Sequence, residues 1–284
     1  MFECLKIDEE FKREAKCESF KVYFGKYTEL TKMLKNEMLL HQAYIPKTVF
    51  EESTTFVVQM QDDFDYWFDM ARGKGYHKYN SKENIMSQVF VINTEESNIK
   101  TIDKDNDFLN NLYITLIEQY DFNVDNAAIY YLFDRDYQSN TDVLFINKMI
   151  STLGNARDNG GYDRQGLLLL SYPAIESFTL SNFEHHVFEE RKETGKELKQ
   201  YLHSRHINHQ NITEEGLMCA VRELWEALQK IGKLKLDLDD FREVNKKIFD
   251  FEEKEMESNK AYRILSLLCV SLLDLGLLEI EEET

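Results

Sequence analysis

Apolar positions follow two different periods between residues 51 and 185, and this pattern predicts an α/β unit. Short runs rich in apolar and β-branched residues predict strands at 54–59, 88–92, 127–133 and 166–171. Between these runs, apolar residues recur at helical spacing and predict helices at 62–72, 107–119 and 141–153. The third strand is apolar throughout, which is typical of a parallel strand covered by helices on both faces. Strands and helices that alternate in this way indicate a mostly parallel sheet flanked by helices.

Helical periodicity also dominates the regions before and after this unit. In residues 1–50, apolar side chains at helical spacing (Phe20, Phe24, Tyr27, Leu30) predict an N-terminal helical segment. Residues 186–284 are predicted to form an all-helical C-terminal region, because the pattern after Pro173 contains helices only. These helices are predicted at 174–188, 189–203, 213–231, 239–251 and 254–278.

The charge of the chain limits the partners that it can bind. Its 284 residues include 34 basic and 52 acidic side chains, which give a formal charge of −18. Such a surface repels phosphate backbones, so sequence-independent duplex binding by bulk charge is excluded. Activity on nucleic acid would require a local basic patch, metal ions held by carboxylates, or a basic partner subunit.

Cysteine spacing and hydropathy indicate the compartment. The four cysteines (Cys4, Cys17, Cys219 and Cys269) contain no CxxC pair, so they predict reduced thiols rather than a zinc ribbon or a disulfide framework. The N-terminus has no apolar signal segment, and no apolar run approaches the roughly 20 uninterrupted residues of a membrane span. We therefore expect a cytoplasmic protein without membrane contact.

Acidic residues follow the strand predicted at 127–133. Asp134 and Asp136 are separated by one residue in an extended segment, so their side chains emerge on the same side. Both carboxylates can then approach one hard cation, and Mg²⁺ or Mn²⁺ takes oxygen ligands of this kind. The sequence therefore predicts a divalent-metal site here, although an Asp-x-Asp segment can also form a turn or an N-cap.

Two further acidic groups follow other predicted strands. Asp62 and Asp63 come after the strand at 54–59, and Glu176 comes after the strand at 166–171. Because ligands gather at the carboxyl ends of parallel strands, these acids are candidate catalytic residues in the same pocket. An alternative for Asp62 and Asp63 is N-capping of the following helix.

The order of these elements resembles the Toprim fold. The Phe133–Asp136 segment (Phe-Asp-Arg-Asp) matches its Asp-x-Asp motif, and the Ser171–Phe178 segment resembles the one that often contains Asn-Pro-x-Phe-Glu or Ile-Glu-Asn-Tyr in such proteins. More narrowly, the chain looks like Toprim-like proteins of bacterial anti-phage systems, the RloB and abortive-infection group, with the OLD-family nucleases as more distant relatives. The resemblance covers residues 54 to about 185.

This resemblance implies metal-dependent hydrolysis of phosphodiester bonds in DNA or RNA. Asp134 and Asp136 would hold Mg²⁺ or Mn²⁺, and Asp62 or Asp63 would complete the ligand shell or accept a proton. Glu176 would orient a ligand or bind a second ion. The resemblance also implies the effector of an anti-phage system, with a nucleic-acid substrate and an ATPase, a regulatory subunit or a second copy of the chain as partner.

One position departs from the Toprim pattern. Toprim domains usually carry a glutamate, commonly Glu-Gly, directly after the first strand, where it acts as a general acid or base. Gln59 and Met60 stand there in this chain, and a glutamine cannot transfer a proton.

Three explanations remain open. Asp62 or Asp63 substitutes from the next turn, or the true first strand lies earlier, in Lys21–Glu29, with Glu29 as the acid. Alternatively, the domain is catalytically degenerate and serves as a binding or regulatory subunit. The long spacing between Glu29 and the Asp-x-Asp motif argues against the second explanation.

Basic side chains that could contact a nucleic acid are concentrated after residue 185. Lys196, Lys199 and Arg205 belong to the one sustained basic stretch, whose alternative interpretation is a solvated helix face. Arg135 could pair with a phosphate or form a salt bridge with neighbouring acids. Five of the 7 histidines also lie in this stretch, at spacings that do not predict a zinc site.

Overall fold

The computed structural model describes residues 3–6, 20–25, 88–93, 99–102, 127–157, 166–207, 212–274 and 278–281. Its longer strands are β1 (Glu3–Lys6), β2 (Phe20–Gly25), β3 (Gln88–Asn93), β4 (Ala127–Asp134), β6 (Gly166–Tyr172) and β10 (Leu278–Glu281). The two-residue strands are β5 (Gly154–Asn155), β7 (Arg191–Lys192), β8 (Tyr262–Arg263) and β9 (Leu265–Ser266). The helices are α1 (Val143–Thr152), α2 (Glu176–Ser181), α3 (Gly195–Ser204), α4 (Glu214–Gly232), α5 (Arg242–Asn259) and α6 (Leu268–Asp274).

A mixed sheet of six strands forms the centre of the fold. Its order is β3-β2-β4-β6-β5, and β9 also pairs with β6. The pairs β2–β3, β2–β4 and β4–β6 are parallel, whereas β5 and β9 run antiparallel to β6. The predicted α/β class with parallel pairing and flanking helices is therefore confirmed for the described residues.

Burial explains why β4 and β6 are strands at the centre of this sheet. Residues 128–133 of β4 and every residue of β6 are buried. Continuously apolar strands of this kind need cover on both faces, which the helices provide. The predicted strands at 88–92, 127–133 and 166–171 are confirmed, and so are the helices predicted at 141–153 and 213–231.

Two side chains mark where the confirmed helices begin. The side chain of Asp142 accepts a hydrogen bond from the backbone N–H of Phe145 at the start of α1. The hydroxyl of Thr213 accepts one from the N–H of Gly216 at the start of α4. Such N-caps satisfy donors that have no partner within the helix.

The helix predicted over residues 1–50 is wrong where this region is described. Residues 3–6 form β1, which pairs with β10, and residues 20–25 form β2 between β3 and β4. Phe20, Val22 and Phe24 alternate with Lys21 and Tyr23, so the segment fits a strand period as well as a helical one. Pairing on both edges decides between these two periods. The strands and helices predicted at 54–59, 62–72 and 107–119 lie outside the described residues.

The C-terminal region is also not all-helical. Strand β7 pairs with β8, and β9 joins the central sheet beside β6. The helix predicted at 254–278 is wrong after Asn259, because Lys260 adopts a left-handed conformation with φ of 58° and ends α5. Two short strands and α6 follow. The helices predicted at 174–188 and 189–203 are shortened to α2 and α3, with a 3-10 turn at Val187–Glu189 and β7 between them.

Within the part of the chain that the structure describes, no helix combines the length and the apolar character that crossing a bilayer requires.

Candidate metal site at the strand ends

Acidic residues from two neighbouring strands meet at one edge of the central sheet. Asp134 is the last residue of β4 and lies in register with Ser171 on β6. Glu176 begins α2 shortly after β6 ends. Because β4 and β6 are parallel, their carboxyl ends share this edge, and Asp134, Asp136 and Glu176 lie together there.

The surroundings of Asp134 raise its pKa. One carboxylate oxygen, Oδ1, accepts a hydrogen bond from the backbone N–H of Ile175, with an N···O distance of 2.8 Å. Burial raises the pKa of Asp134 well above its usual range, and the negative charge of Glu176 raises it further. Asp136 adds a smaller effect in the same direction, whereas the Ile175 N–H and Lys199 oppose it.

Glu176 is buried and lies beside a lysine. Its side chain is only 4% exposed, and its Oε1 lies 3.1 Å from Nζ of Lys199, whose own side chain is 63% exposed. Lys199 belongs to α3. The site therefore combines two carboxylates from adjacent strand ends with one solvent-facing ammonium group.

Gly195 allows α3 to approach this site closely. A Cβ atom at this position would lie 2.7 Å from Cβ of Ala174, a distance that real Cβ atoms do not adopt. The first residue of α3 therefore lies directly against the segment that leads into α2. This packing brings Lys199 within reach of Glu176.

Pro173 lies three residues before the start of α2. The helix begins at Glu176, and the Tyr172–Pro173 peptide bond is cis.

Asp136 stabilises the turn that follows β4. Its Oδ1 accepts a hydrogen bond from the N–H of Gln138 (3.2 Å), and its Oδ2 accepts one from Oγ of Ser139 (2.6 Å). Aspartate commonly stabilises turns in this way. An ionised carboxylate has about four lone-pair sites, so this turn role leaves acceptor capacity for a cation.

Arg135 is enclosed by protein and does not present its guanidinium to a nucleic acid. Its Nε and Nη2 donate to the two carboxylate oxygens of Glu253 at 2.6 and 2.8 Å, and its Nη1 donates to the Asn140 carbonyl at 2.8 Å. The rings of Phe249 and Tyr262 lie 5.6 Å from the guanidinium carbon. The salt-bridge alternative is therefore the observed one, although the acid comes from α5 rather than from a neighbour in sequence.

The other predicted site residues fall into two groups. Asp62, Asp63 and Gln59 lie outside the described residues, and so does Glu29. Lys196, Lys199 and Arg205 are all exposed, on α3 or directly after it.

Sequence reasoning missed one group of metal-ligating side chains. His185, Cys219 and Glu223 have potential ligand atoms that all lie within 4.8 Å of one another. Cys219 and Glu223 are four residues apart on α4, a spacing that places them on one helix face. The sequence shows the spacing of Cys219 and Glu223, but it does not show that a loop brings His185 to this helix face.

Comparison with known protein families, with curated proteins and with solved structures gives no significant match to this chain.

Proposed function

We propose that the protein is a divalent-metal-dependent nuclease that hydrolyses phosphodiester bonds in DNA or RNA. The observation that carries this proposal is the pair of carboxylates, Asp134 and Glu176, held close together at the carboxyl edge of a parallel sheet. Like charges in a partly buried place are costly for the folded protein. A bound cation removes that cost, which is the usual reason for such an arrangement at a functional site.

The residues present fit Mg²⁺ or Mn²⁺. Asp134, Asp136 and Glu176 offer only oxygen ligands, which these hard cations prefer. Oδ1 of Asp134 is oriented by the N–H of Ile175. When bound, the metal polarises a phosphate and lowers the pKa of a water molecule.

Each residue of the chain then has a defined task. Asp134 and Asp136 hold the cation, and Glu176 orients a ligand or binds a second ion. The proton acceptor comes from Asp62 or Asp63, or from Glu29 in the segment that follows β2. The position of β2 beside β4 supports Glu29 more strongly than the sequence alone did.

The basic side chains of α3 support a polynucleotide as substrate. Lys196 and Arg205 are exposed, and the Arg205 guanidinium carbon lies 5.3 Å from the centre of the Tyr201 ring. Lys199 lies between the site and this surface, since it pairs with Glu176. Cationic and aromatic groups together suit a nucleic-acid backbone and its bases, and a local patch of this kind is what the acidic chain requires.

The proposed biological setting follows from the Toprim resemblance. We propose that the chain is a cytoplasmic effector of a bacterial anti-phage system, held inactive by an ATPase, by a regulatory subunit or by assembly with itself. The strand order β3-β2-β4-β6 supports the Toprim-like assignment, because the strand that would carry the general acid lies next to the strand that ends in Asp134.

A degenerate, non-catalytic module is the second candidate. Gln59 and Met60 stand where the Toprim pattern places Glu-Gly, and a glutamine cannot transfer a proton. The ammonium group of Lys199 also neutralises part of the charge on Glu176. These two observations favour a binding or regulatory subunit that keeps the fold and has lost the chemistry.

Calorimetric titration with Mn²⁺ distinguishes the two candidates. We expect the wild-type chain to bind Mn²⁺, and the Asp134→Ala/Asp136→Ala variant to lose that binding together with Mn²⁺-dependent cleavage of DNA or RNA. Asp250→Ala is the matched control, because Asp250 is exposed on α5 and should leave both properties unchanged. A wild-type chain without Mn²⁺ binding would contradict the nuclease proposal, and so would cleavage confined to free nucleotides.

Three further variants identify the proton acceptor. Asp62→Asn, Asp63→Asn and Glu29→Gln each remove one candidate base while keeping the size of the side chain. The variant that loses cleavage by about 10²–10⁴-fold, with Mn²⁺ binding retained, identifies the base. If wild-type binding of Mn²⁺ occurs without cleavage of any polynucleotide, the degenerate module is the correct assignment.

A further inference from the structure

We infer that His185, Cys219 and Glu223 form a second metal site, specific for Zn²⁺ or a similar divalent transition metal. These three residues supply one imidazole nitrogen, one thiolate sulfur and one carboxylate oxygen. This donor set suits Zn²⁺ and differs from the all-oxygen set at the strand ends. The site is separate from the carboxylate edge, because Glu176 begins α2 whereas His185 follows the end of that helix.

Two of the three distances between the donor atoms lie close to those across a tetrahedral zinc ion. Typical bond lengths of about 2.3 Å to sulfur and about 2.05 Å to nitrogen place these two ligands about 3.6 Å apart around such an ion. Nδ1 of His185 lies 3.5 Å from Sγ of Cys219. The same nitrogen lies 3.7 Å from Oε1 of Glu223, against about 3.3 Å for tetrahedral nitrogen and oxygen ligands. Small side-chain movements are therefore sufficient to bind the ion.

Backbone contacts hold the Glu223 carboxylate in place before any metal binds. The N–H groups of His186 and Val187 donate to Oε1 and Oε2 of Glu223, both at 2.9 Å, which fixes the plane of this carboxylate. Glu223 is only 3% exposed, so it cannot turn away into solvent without losing both bonds. His186 itself adopts a left-handed conformation with φ of 59°, an uncommon backbone state for a residue other than glycine. Partners that orient ligands in this way are a regular feature of metal sites.

The geometry favours a metal site over a cysteine–histidine catalytic pair. In a catalytic triad, one imidazole nitrogen contacts the nucleophile and the other contacts the orienting acid. Here both the thiol and the carboxylate approach the same nitrogen, Nδ1 of His185. Three donor atoms that converge on one point are the arrangement that a single ion requires.

The exposure of the three ligands defines the kind of site. Cys219 and Glu223 are buried by their helix and the loop above it, whereas the His185 side chain is 63% exposed. The fourth position of a tetrahedral ion therefore faces solvent and takes water. Bound zinc would tie the loop around residues 184–187 to α4.

Metal analysis of the full chain, produced without a histidine tag, tests this inference. After chelator treatment, reloading with ZnCl₂ and dialysis, we expect one zinc ion per chain by mass spectrometry. We expect His185→Ala and Cys219→Ser to weaken zinc binding more than about 100-fold in competition with a chromogenic chelator, since loss of a ligand should exceed the 10–100-fold cost of losing a ligand's partner. His185 is exposed, so the alanine variant should fold normally.

Matched controls show whether the effect is specific. His203→Ala removes an exposed histidine on α3, and Cys269→Ala removes the other buried thiol described in the structure. Both should retain zinc at the wild-type affinity. Asp134→Asn should also retain it, which separates this site from the proposed Mg²⁺ or Mn²⁺ site.

Cobalt substitution provides a readout that depends on the ligands themselves. Co²⁺ bound in the reloaded wild-type chain should show a thiolate-to-cobalt charge-transfer band that Cys219→Ser abolishes. Zinc also should slow alkylation of Cys219, followed by peptide mass mapping, without affecting Cys269. A wild-type chain that retains no zinc, or a cobalt complex without the thiolate band, would overturn the inference and leave a thiol–imidazole hydrogen bond.

Discussion

Two adjacent residues at the end of β4 have opposite electrostatic surroundings. Arg135 is completely buried, and its guanidinium is stabilised by its surroundings. It contacts the carboxylate of Glu253, the carbonyl of Asn140 and the faces of aromatic rings. Burial raises the pKa of Asp134, and the neighbouring carboxylate of Glu176 raises it further. Successive side chains of a strand point to opposite faces, so adjacent residues can carry a paired charge on one face and a charge beside a like charge on the other.

This difference separates a structural role from a functional one. A buried ion with matched partners holds elements together, and in this case it joins the end of β4 to α5. A carboxylate held against a like charge lowers the stability of the fold, and proteins usually retain such groups at sites where a ligand supplies the missing charge. The same strand end therefore anchors the fold on one side and carries the proposed cation site on the other.

The largest effect is expected from breaking the Arg135–Glu253 pair. Arg135→Met should lower the free energy of unfolding by about 3–5 kcal/mol, because it leaves a largely buried carboxylate without its partner. Urea denaturation measures this change. The double variant Arg135→Met/Glu253→Leu should recover much of the loss, since a buried pair can be replaced by apolar residues.

An exposed pair on the same helix provides the control for this variant. Lys247 and Glu243 form an ion pair on α5 with side chains 52% and 73% exposed. Lys247→Met should change the unfolding free energy by less than about 1 kcal/mol. A similar small effect for Arg135→Met would mean that Arg135 does not anchor the fold.

A smaller effect of opposite sign is expected at Asp134. Asp134→Asn should stabilise the apo protein at neutral pH by about 0.5–2 kcal/mol, because the amide removes the cost of burying a charge and the repulsion from Glu176. The same variant should lose Mn²⁺ binding. Asp240→Asn is the comparison. Arg242 lowers the pKa of Asp240, so removing this carboxylate should slightly lower the free energy of unfolding.

The pH dependence of stability tests the same residue. The pKa of Asp134 is raised in the folded chain, so the native state binds more protons than the unfolded chain above the ordinary aspartate pKa of about 3.9. The stability from this carboxyl is therefore fully present below that value and is lost as the pH rises through the folded pKa. Unfolding curves over this range should fall less steeply with pH in Asp134→Asn than in the wild type. Parallel curves would contradict the raised pKa.

The smallest effect is expected from removing the cation at the site. Lys199→Met should change stability by less than about 1 kcal/mol, because the Lys199 side chain is mostly exposed. It should strengthen Mn²⁺ binding by less than about fivefold, since Lys199 competes with the metal for Glu176. Calorimetry measures this change. Lys196→Met, one helix turn away, should leave the affinity unchanged, and an equal effect of both variants would indicate only a change in net charge.

The centre of the fold could be predicted because its signal is local. The strand at 127–133 is apolar throughout, the strand at 166–171 contains four consecutive leucines, and parallel pairing brings Asp134 and Glu176 to one edge. The sequence also indicates which way the Arg135 side chain points, because a residue between two aspartates on one face of an extended segment must point to the other face. Its acidic partner on α5 is distant in sequence and could not be identified.

The errors concern segments whose structure depends on distant partners. Strand β2 carries both a helical and a strand period, and β3 and β4 decide between them. Strand β9 has two residues, which is too short for any periodic pattern, and it exists because it pairs with β6. The His185–Cys219–Glu223 group depends in the same way on a loop folding back onto α4.

The close approach at Gly195 means that the packing of an uncharged residue determines the position of Lys199 at the site. A methyl group at this position would collide with Ala174 and force the first turn of α3 outward. Lys199 would move away with its helix, and the acidic pair would lose its counter-charge. An alanine at residue 195 would therefore change the surroundings of Glu176 in two ways, by moving Lys199 away and by placing a methyl group 3.9 Å from Oε2 of Glu176.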